Sequence, residues 1–438
     1  MRAWPALPEP WVAKLPACMV LLAGLCAALH VSKLPPAIAA LQNELGMGLV
    51  QAGFLLSTVQ AAGMALGLVA GLLADKLGYA RMMAAGLALL GVASAAGAFA
   101  TGAAMLIALR GVEGLGFLLA ALPAPALLRQ LVAKQGAADV AKWMGLWGAY
   151  MPTGATLALL AGPWVLEAFG WRVWWFGLSV LTLSVGGVFV WVFWASIRAN
   201  PLRIAADMVN PSADKQTPQT SHQAADHAKR PVQHATPAWR ITLGSRGPWL
   251  VALAFCMYSG QWLAVVGFMP VVYTQAGLSA HMAGYLTALA AGANAVGNIT
   301  AGKLISKGFA PNVIVKWSFV TMFLGAFAVF ADFSWTGLQV PVWGQALAVY
   351  VFSGVGGMIP ATLFGLAVRL APSPRTVAAT VGWMQQLSAL GQFAGPPMVA
   401  WWTTQVGGWQ GTWMFTGLCC AVGVALSASI GRALTSNQ

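Results

Sequence analysis

Apolar residues fill this chain in long runs, and short polar turns punctuate them. Six runs occupy roughly 14–37, 50–72, 82–100, 103–128, 142–167 and a stretch ending near Ile197. Six more follow at roughly 248–274, 282–304, 313–331, 341–368, 377–402 and 411–431. A membrane-crossing helix needs about 20 predominantly apolar residues, so the pattern predicts an all-α membrane protein with twelve transmembrane helices. The interval 198–246 breaks it. That interval is rich in Pro, Gln, Thr, Ala, His and charge, has no span-length apolar run, and reads as a largely disordered cytoplasmic linker. It divides the chain into an N-terminal unit (1–197) and a C-terminal unit (247–438).

The second unit repeats the first. Ala52-Gly53 and Gly71 match Ala283-Gly284 and Gly302 at an offset of 231, and Gly154 matches Gly391 at 237. Gly170-Trp171 and Trp175 match Gly408-Trp409 and Trp413 at 238. Duplication of this kind builds a cavity at the interface of the repeats, and the expected layout is two pseudo-symmetric six-helix bundles.

Charge settles orientation. Only 8% of residues are charged and 59% are hydrophobic, against about a quarter charged in soluble proteins. The net charge of +13 invites a nucleic-acid reading. With the N-terminus inside and the spans alternating, however, all the Lys and Arg residues except Lys33, Arg110 and Arg172 fall on the inner side or in its linker. That is the positive-inside pattern, so the basicity orients the protein and meets anionic lipid; both termini are expected in the cytoplasm of a bacterial inner membrane. Trp171, Trp174 and Trp175 suit an aromatic belt beside the outer turn Phe169–Arg172. The five cysteines lie in apolar runs and read as small buried hydrophobes with no disulfide framework. His222, His227 and His234 read as solvated linker residues rather than a metal site. Met1–Lys14 has no signal-peptide pattern. A phosphate-binding G-x-x-x-x-G-K-[ST] loop, paired catalytic carboxylates and a Ser/His/Asp arrangement are all missing; the expectation is no enzyme, no cofactor and no metal.

The turn between the second and third runs carries the strongest motif. Gly71-Leu72-Leu73-Ala74-Asp75-Lys76-Leu77-Gly78-Tyr79-Ala80-Arg81 is tight and charged, so it lies at the water interface. Gly71 and Gly78 permit close approach and a tight turn, and Asp75 can cap orphan amides and pair with an Arg. The stretch resembles the G-x-L-A-D-[RK]-x-G-[RK]-[RK]-x loop of the major facilitator superfamily, with Tyr79 and Ala80 replacing the usual basic pair. The second copy, Gly302-Lys303-Leu304-Ile305-Ser306-Lys307-Gly308, has Ser306 where Asp75 stands. Within the superfamily, Met144–Trp147, Met384–Gln386 and Trp262–Pro270 look most like the cyanate/nitroimidazole-type branch. The resemblance implies alternating access between two bundles, a conformational latch at Asp75, Gly71, Gly78 and Arg81, bending at Pro123/Pro125 and Pro396-Pro397, and a monomer.

Three charges fall inside spans: Lys33, Arg110 and Glu113. An intramembrane charge is costly and is a functional candidate by default. Arg110 and Glu113, three residues apart, share a helix face and can pair. Arg110–Gly116 resembles the superfamily's R-x-x-Q-G-x-G motif with Glu113 in the Gln position, and in proton-coupled relatives that Arg is associated with coupling. Glu can carry a proton and Gln cannot, so Glu113 with Arg110 is the candidate proton-coupling pair; the alternative is a static pair that locks helices together. Lys33 can snorkel outward or face the central cavity, which the first span lines in this family, and His30 shares its face. Two cations against one acid predict a positive cavity that concentrates anions. The expected substrate-binding set is Lys33, His30, Arg110, Tyr150, Gln261, Asn294 and Gln385. Gln60, Tyr258, Asn298 and Gln386 are further polar groups in the lining spans.

The reading is a secondary transporter, symporter or antiporter, for a small organic anion, with protons and membrane lipids as its other partners. One rival is a proton-antiport drug or metabolite exporter; export of cationic drugs is disfavoured because Gly148–Gly154 matches the antiporter G-x-x-x-G-P-x-x-G-G signature poorly, while efflux of an anionic metabolite stays open. The other is a transporter-like membrane sensor whose output is the linker.

Overall fold

The structure is a computed structural model that describes residues 9–133, 137–198, 237–332 and 340–436. Every regular element among them is helical. The first half runs α1 (Glu9–Ser32), a 3-10 turn (Pro35–Ala37), α2 (Ile38–Leu45), α3 (Leu49–Ser57), α4 (Ala61–Leu77), α5 (Tyr79–Ala98), α6 (Ala103–Ala121), α7 (Ala124–Val132), α8 (Ala137–Gly148), α9 (Tyr150–Val192) and α10 (Trp194–Arg198). The second half runs α11 (Ala238–Leu243), α12 (Arg246–Gln275), α13 (Ala280–Ser306), α14 (Pro311–Phe330), α15 (Val342–Gly356), α16 (Met358–Arg369), α17 (Val377–Val406) and α18 (Thr412–Ser436).

Prolines and glycines set the breaks. Pro35 and Pro36 lack the N–H groups that would continue α1, so the helix ends at Ser32 and the chain turns. Pro123 divides α6 from α7. The 43 residues of α9 would extend about 65 Å if straight, twice the hydrocarbon thickness; Gly170, at φ 79°, bends them into two helices. Pro396 and Pro397 behave otherwise. They were expected to break a helix and instead lie inside the continuous α17. Gly53 of α3 packs there, where an added Cβ would lie about 3.0 Å from the backbone of both prolines.

Among the described residues, nine helical segments are long and apolar enough to cross a membrane. One of them, Tyr150–Val192, holds two of the expected runs in its two arms. The helices α13 and α17, of 27 and 30 residues, are span-length by geometry; Asn294 and Asn298 in one, and Gln385, Gln386 and Gln392 in the other, lower their hydropathy. The six positive-φ glycines fall into three pairs: Gly46/Gly277, Gly78/Gly308 and Gly170/Gly407. Their separations (277 − 46 = 231, 308 − 78 = 230, 407 − 170 = 237) track the offsets of the sequence repeat. One hydrophobic core lies wholly within residues 17–193, another within 250–430, and a third joins residues 29–178 to 263–400.

Three expectations change. Trp171, Trp174 and Trp175 are buried rather than belt residues. Their indole faces fill the core; Trp174 donates inward to the Lys33 carbonyl, while Trp171 donates to the exposed Glu44. Cys18 is exposed, while the other four cysteines are buried and free. Within the interval expected to be a linker, Ala238–Leu243 is helical and buries Thr242; His222, His227 and His234 lie outside the described residues.

Candidate functional site

The site starts with the broken end of α1. Helix ends leave carbonyls without intrahelical donors, and Pro35 removes the amide that would have met Val31. Arg110 of α6 supplies the replacement: its Nη1 donates to the His30 carbonyl at 2.7 Å and its Nη2 to the Val31 carbonyl at 3.5 Å, while its Nε reaches the Leu55 carbonyl at 3.4 Å. Trp174 Nε1 donates to the Lys33 carbonyl at 3.0 Å. One guanidinium and one indole therefore anchor the exit of α1.

The same residues carry an ion cluster. Glu113 accepts from Lys33 Nζ at 2.7 Å on Oε1 and from Arg110 Nη1 at 2.6 Å on Oε2. All three side chains are essentially inaccessible, at 0–1% exposure. Lys33 also donates to Ser94 Oγ at 2.8 Å, lies 3.4 Å from His30 Nδ1, and stands 4.5 Å over the Trp175 ring. His30 Nε2 meets Thr182 Oγ1 at 2.8 Å. The i, i+3 pairing of Arg110 and Glu113 is thus present, joined by a second cation from α1. Ser94 and Thr182, not singled out from sequence, complete the shell; a lone hydroxyl in an apolar helix was their only signal. With all three ions charged the cluster sums to +1, and its Lys33–Glu113 contact ties the end of α1 to α6.

Lys33 therefore does not face the cavity between the halves, because its charge is satisfied inside the first half. His30 and Arg110 turn the same way. The cavity has a volume of about 160 Å³. Val31, Ser32, Pro35 and Pro152 line it from the first half, and Phe255, Tyr258, Trp262, Asn294 and Gln392 from the second. Of the expected binding set, Asn294 alone lines it. Tyr150 stacks on Trp147 at 4.2 Å. Gln261 is buried, donating to the Met257 carbonyl at 2.9 Å and accepting from Cys420 at 3.3 Å. Gln385 is exposed. No carboxylate lines the cavity.

Side chains bridge the halves around this space. Gln60 donates to Gln392 at 3.0 Å, and Gln386 to the Met64 carbonyl at 2.7 Å. At the end carrying Gly170, Glu167 lies 3.3 Å from His281, Trp164 packs on the His281 ring at 4.2 Å, and Trp164 Nε1 donates to Tyr285 at 3.0 Å. At the opposite end, Gly78 turns the chain at φ 87° and Arg81 Nε donates to the Ile197 carbonyl. Gly71 and Asp75 fall in α4, but their surroundings lie outside the described residues.

An all-helical chain with apolar, membrane-length segments, an ion cluster buried among them and a cavity spanning its two halves is a multi-pass membrane protein built to handle a small solute. The description of the Major Facilitator Superfamily matches residues 20–372, and the chain belongs to that superfamily, whose members are transporters of small molecules across lipid membranes. No curated protein matches the chain.

Proposed function

We propose that the chain is a proton-coupled secondary transporter that moves a small organic anion by alternating access, with the Lys33–Glu113–Arg110 cluster as its coupling element. Twelve spans in two six-helix bundles support this reading: the bend at Gly170 makes two spans of Tyr150–Val192, and α13 and α17 add one each. The bundles divide at the interval 198–246, the termini face the cytoplasm of a bacterial inner membrane, and the protein works as a monomer. The likeness of Met144–Trp147, Met384–Gln386 and Trp262–Pro270 to the cyanate/nitroimidazole-type branch fits a small anionic cargo.

The observation that carries the proposal is the carboxylate held between two cations across α1 and α6. A buried ionic cluster is weak support for stability, and its position at the break of α1 suits a switch. Adding or removing one proton there changes the count of charged contacts that pin α1, and α1 carries Val31 and Ser32 in the cavity wall. The net +1 behind that wall, with no acid in the lining, favours an anion. The latch proposed at Gly71, Asp75, Gly78 and Arg81 then holds one end state.

Proteoliposome flux tests the coupling. Lys33→Met keeps the Arg110–Glu113 pair neutral and buried. Uptake driven by an imposed proton gradient should be lost, while counterflow exchange at uniform pH persists. Gradient-driven accumulation equal to that of the unmodified protein would overturn the assignment.

A further inference from the structure

We propose that the cavity between the halves binds one flat ring bearing a carboxylate, and that the Tyr258 hydroxyl donates to that carboxylate. The inference rests on the anion-transport reading and narrows its substrate class.

Size and lining set the ring. An apolar cavity of about 150 Å³ accepts benzene, and this one measures about 160 Å³. Phe255, Tyr258 and Trp262 present three aromatic side chains from one face of α12, and Pro35, Pro152 and Pro360 add rigid apolar surface to the lining. Flat rings pack well against aromatic faces.

Hydrogen bonding sets the acceptor. Asn294 Nδ2 donates to the Ser353 carbonyl at 3.0 Å. A carbonyl oxygen only accepts, so the atom facing it must be the amide nitrogen. That same nitrogen meets Tyr258 Oη at 2.8 Å and donates to it, while Asn298 Nδ2 occupies the Asn294 Oδ1 at 3.2 Å. Both amide protons of Asn294 are spent, and Tyr258 can only accept from that nitrogen. The Tyr258 proton must therefore point elsewhere, and no described residue accepts it. Tyr258 is 5% exposed and lines the cavity. A buried donor without an acceptor is costly, and a ligand oxygen placed against the ring edge removes that cost. Two other polar linings are already committed: Ser259 donates to the Ser388 carbonyl at 2.9 Å and Trp262 Nε1 to Ser353 Oγ at 2.9 Å.

Thermal-shift titration of the full-length purified protein with benzoate, acetate and benzylamine tests this, repeated on Tyr258→Phe. Benzoate should stabilise saturably, acetate should bind at least about tenfold more weakly, and benzylamine should not compete. Tyr258→Phe should raise the benzoate Kd about tenfold, the worth of a hydrogen bond to a charged group. Phe keeps the aromatic packing, and Asn294 keeps the Ser353 carbonyl, so the variant folds. Equal binding of acetate and benzoate overturns the ring, equal binding of benzylamine overturns the acceptor, and an unchanged Kd in Tyr258→Phe overturns the donor. If none of the three binds, the proposal falls. Counterflow of other radiolabelled organic anions into proteoliposomes then separates the two readings: exchange of any of them leaves anion transport standing, and no exchange brings both down.

Discussion

Removing the one carboxylate from the three-ion cluster should cost far more than removing one of its cations, and removing both should undo part of the damage. Glu113 holds Lys33 and Arg110 at 2.7 and 2.6 Å in a site with 0–1% exposure. The charge sum is +1 in the native cluster, +2 in Glu113→Gln, 0 in Lys33→Met and +1 in the double variant. Glu113→Gln leaves two cations facing a neutral amide in low dielectric, and breaking a buried pair in this way costs about 3–5 kcal/mol. Lys33→Met leaves the Arg110–Glu113 pair intact, and Ser94 keeps its bond to the Trp175 carbonyl; the loss is about 1–3 kcal/mol, that of a hydrogen bond to a charged group. In the double variant Arg110 retains the His30, Val31 and Leu55 carbonyls and meets no second cation. It should be more stable than Glu113→Gln, which requires a coupling larger than the cost of Lys33→Met alone, in the upper part of the usual range of about 0.5–3 kcal/mol between contacting residues. Unfolding of the four proteins in mixed detergent micelles, followed by tryptophan fluorescence, measures the cycle. Additive costs would mean that Lys33 and Glu113 do not share a site, and would refute the reasoning on which the coupling proposal stands.

Three other outcomes are expected. Gly297→Ala should destabilise by about 1–3 kcal/mol, because its Cβ would strike the Gly354 carbonyl, whereas Gly187→Ala, with nothing near its Cβ, should stay within about 0.5 kcal/mol on the same unfolding assay. His281 and Glu167 meet at 3.3 Å across the halves, so Glu167→Gln should loosen that end of the interface. Spin labels at Phe169 and Ala276 should report longer distances in Glu167→Gln than in the unmodified protein, and equal distances would show that the contact holds nothing together. Deletion of residues 205–232, which stops short of the Ala238–Leu243 helix, should leave flux into proteoliposomes intact; a transporter-like sensor would lose only its signalling, and a protein with no flux in either form would support that rival.

Much of the fold was legible because hydrocarbon imposes it. Run length and turn glycines both follow from one solvent, and Gly78 and Gly170 turn the chain where the pattern placed turns. The Arg110–Glu113 pair was legible for a similar reason, since a spacing of three on a helix fixes proximity. Lys33 was not. Its partner Glu113 is 80 positions away, and periodicity alone does not say whether a helix face meets a cavity or a neighbouring helix. The tryptophans misled because an interfacial belt and a buried indole donor need the same residue; only the partner, the Lys33 carbonyl for Trp174, tells them apart. Tyr258 and Gln261 looked equivalent in sequence, three residues apart in one span. Packing sends the amide toward Cys420 and leaves the hydroxyl at the cavity.

The break in α1 ties these observations into one device. Between His30 and Pro35 the chain alternates its loyalties: His30 and Lys33 enter the ion cluster, while Val31, Ser32 and Pro35 form cavity wall. Because Pro35 and Pro36 deprive the helix end of its own amides, the segment is held in place by Arg110 and Trp174 rather than by its own ladder. A segment held by side chains moves when those side chains change partners. Arg110 divides its donors between that backbone and Glu113, so under the proposed coupling a change in the charge of Glu113 or Lys33 would redistribute its hydrogen bonds beside the cavity wall. Such coupling needs no long relay between coupling site and cargo, since one broken helix end touches both the ion cluster and the cavity.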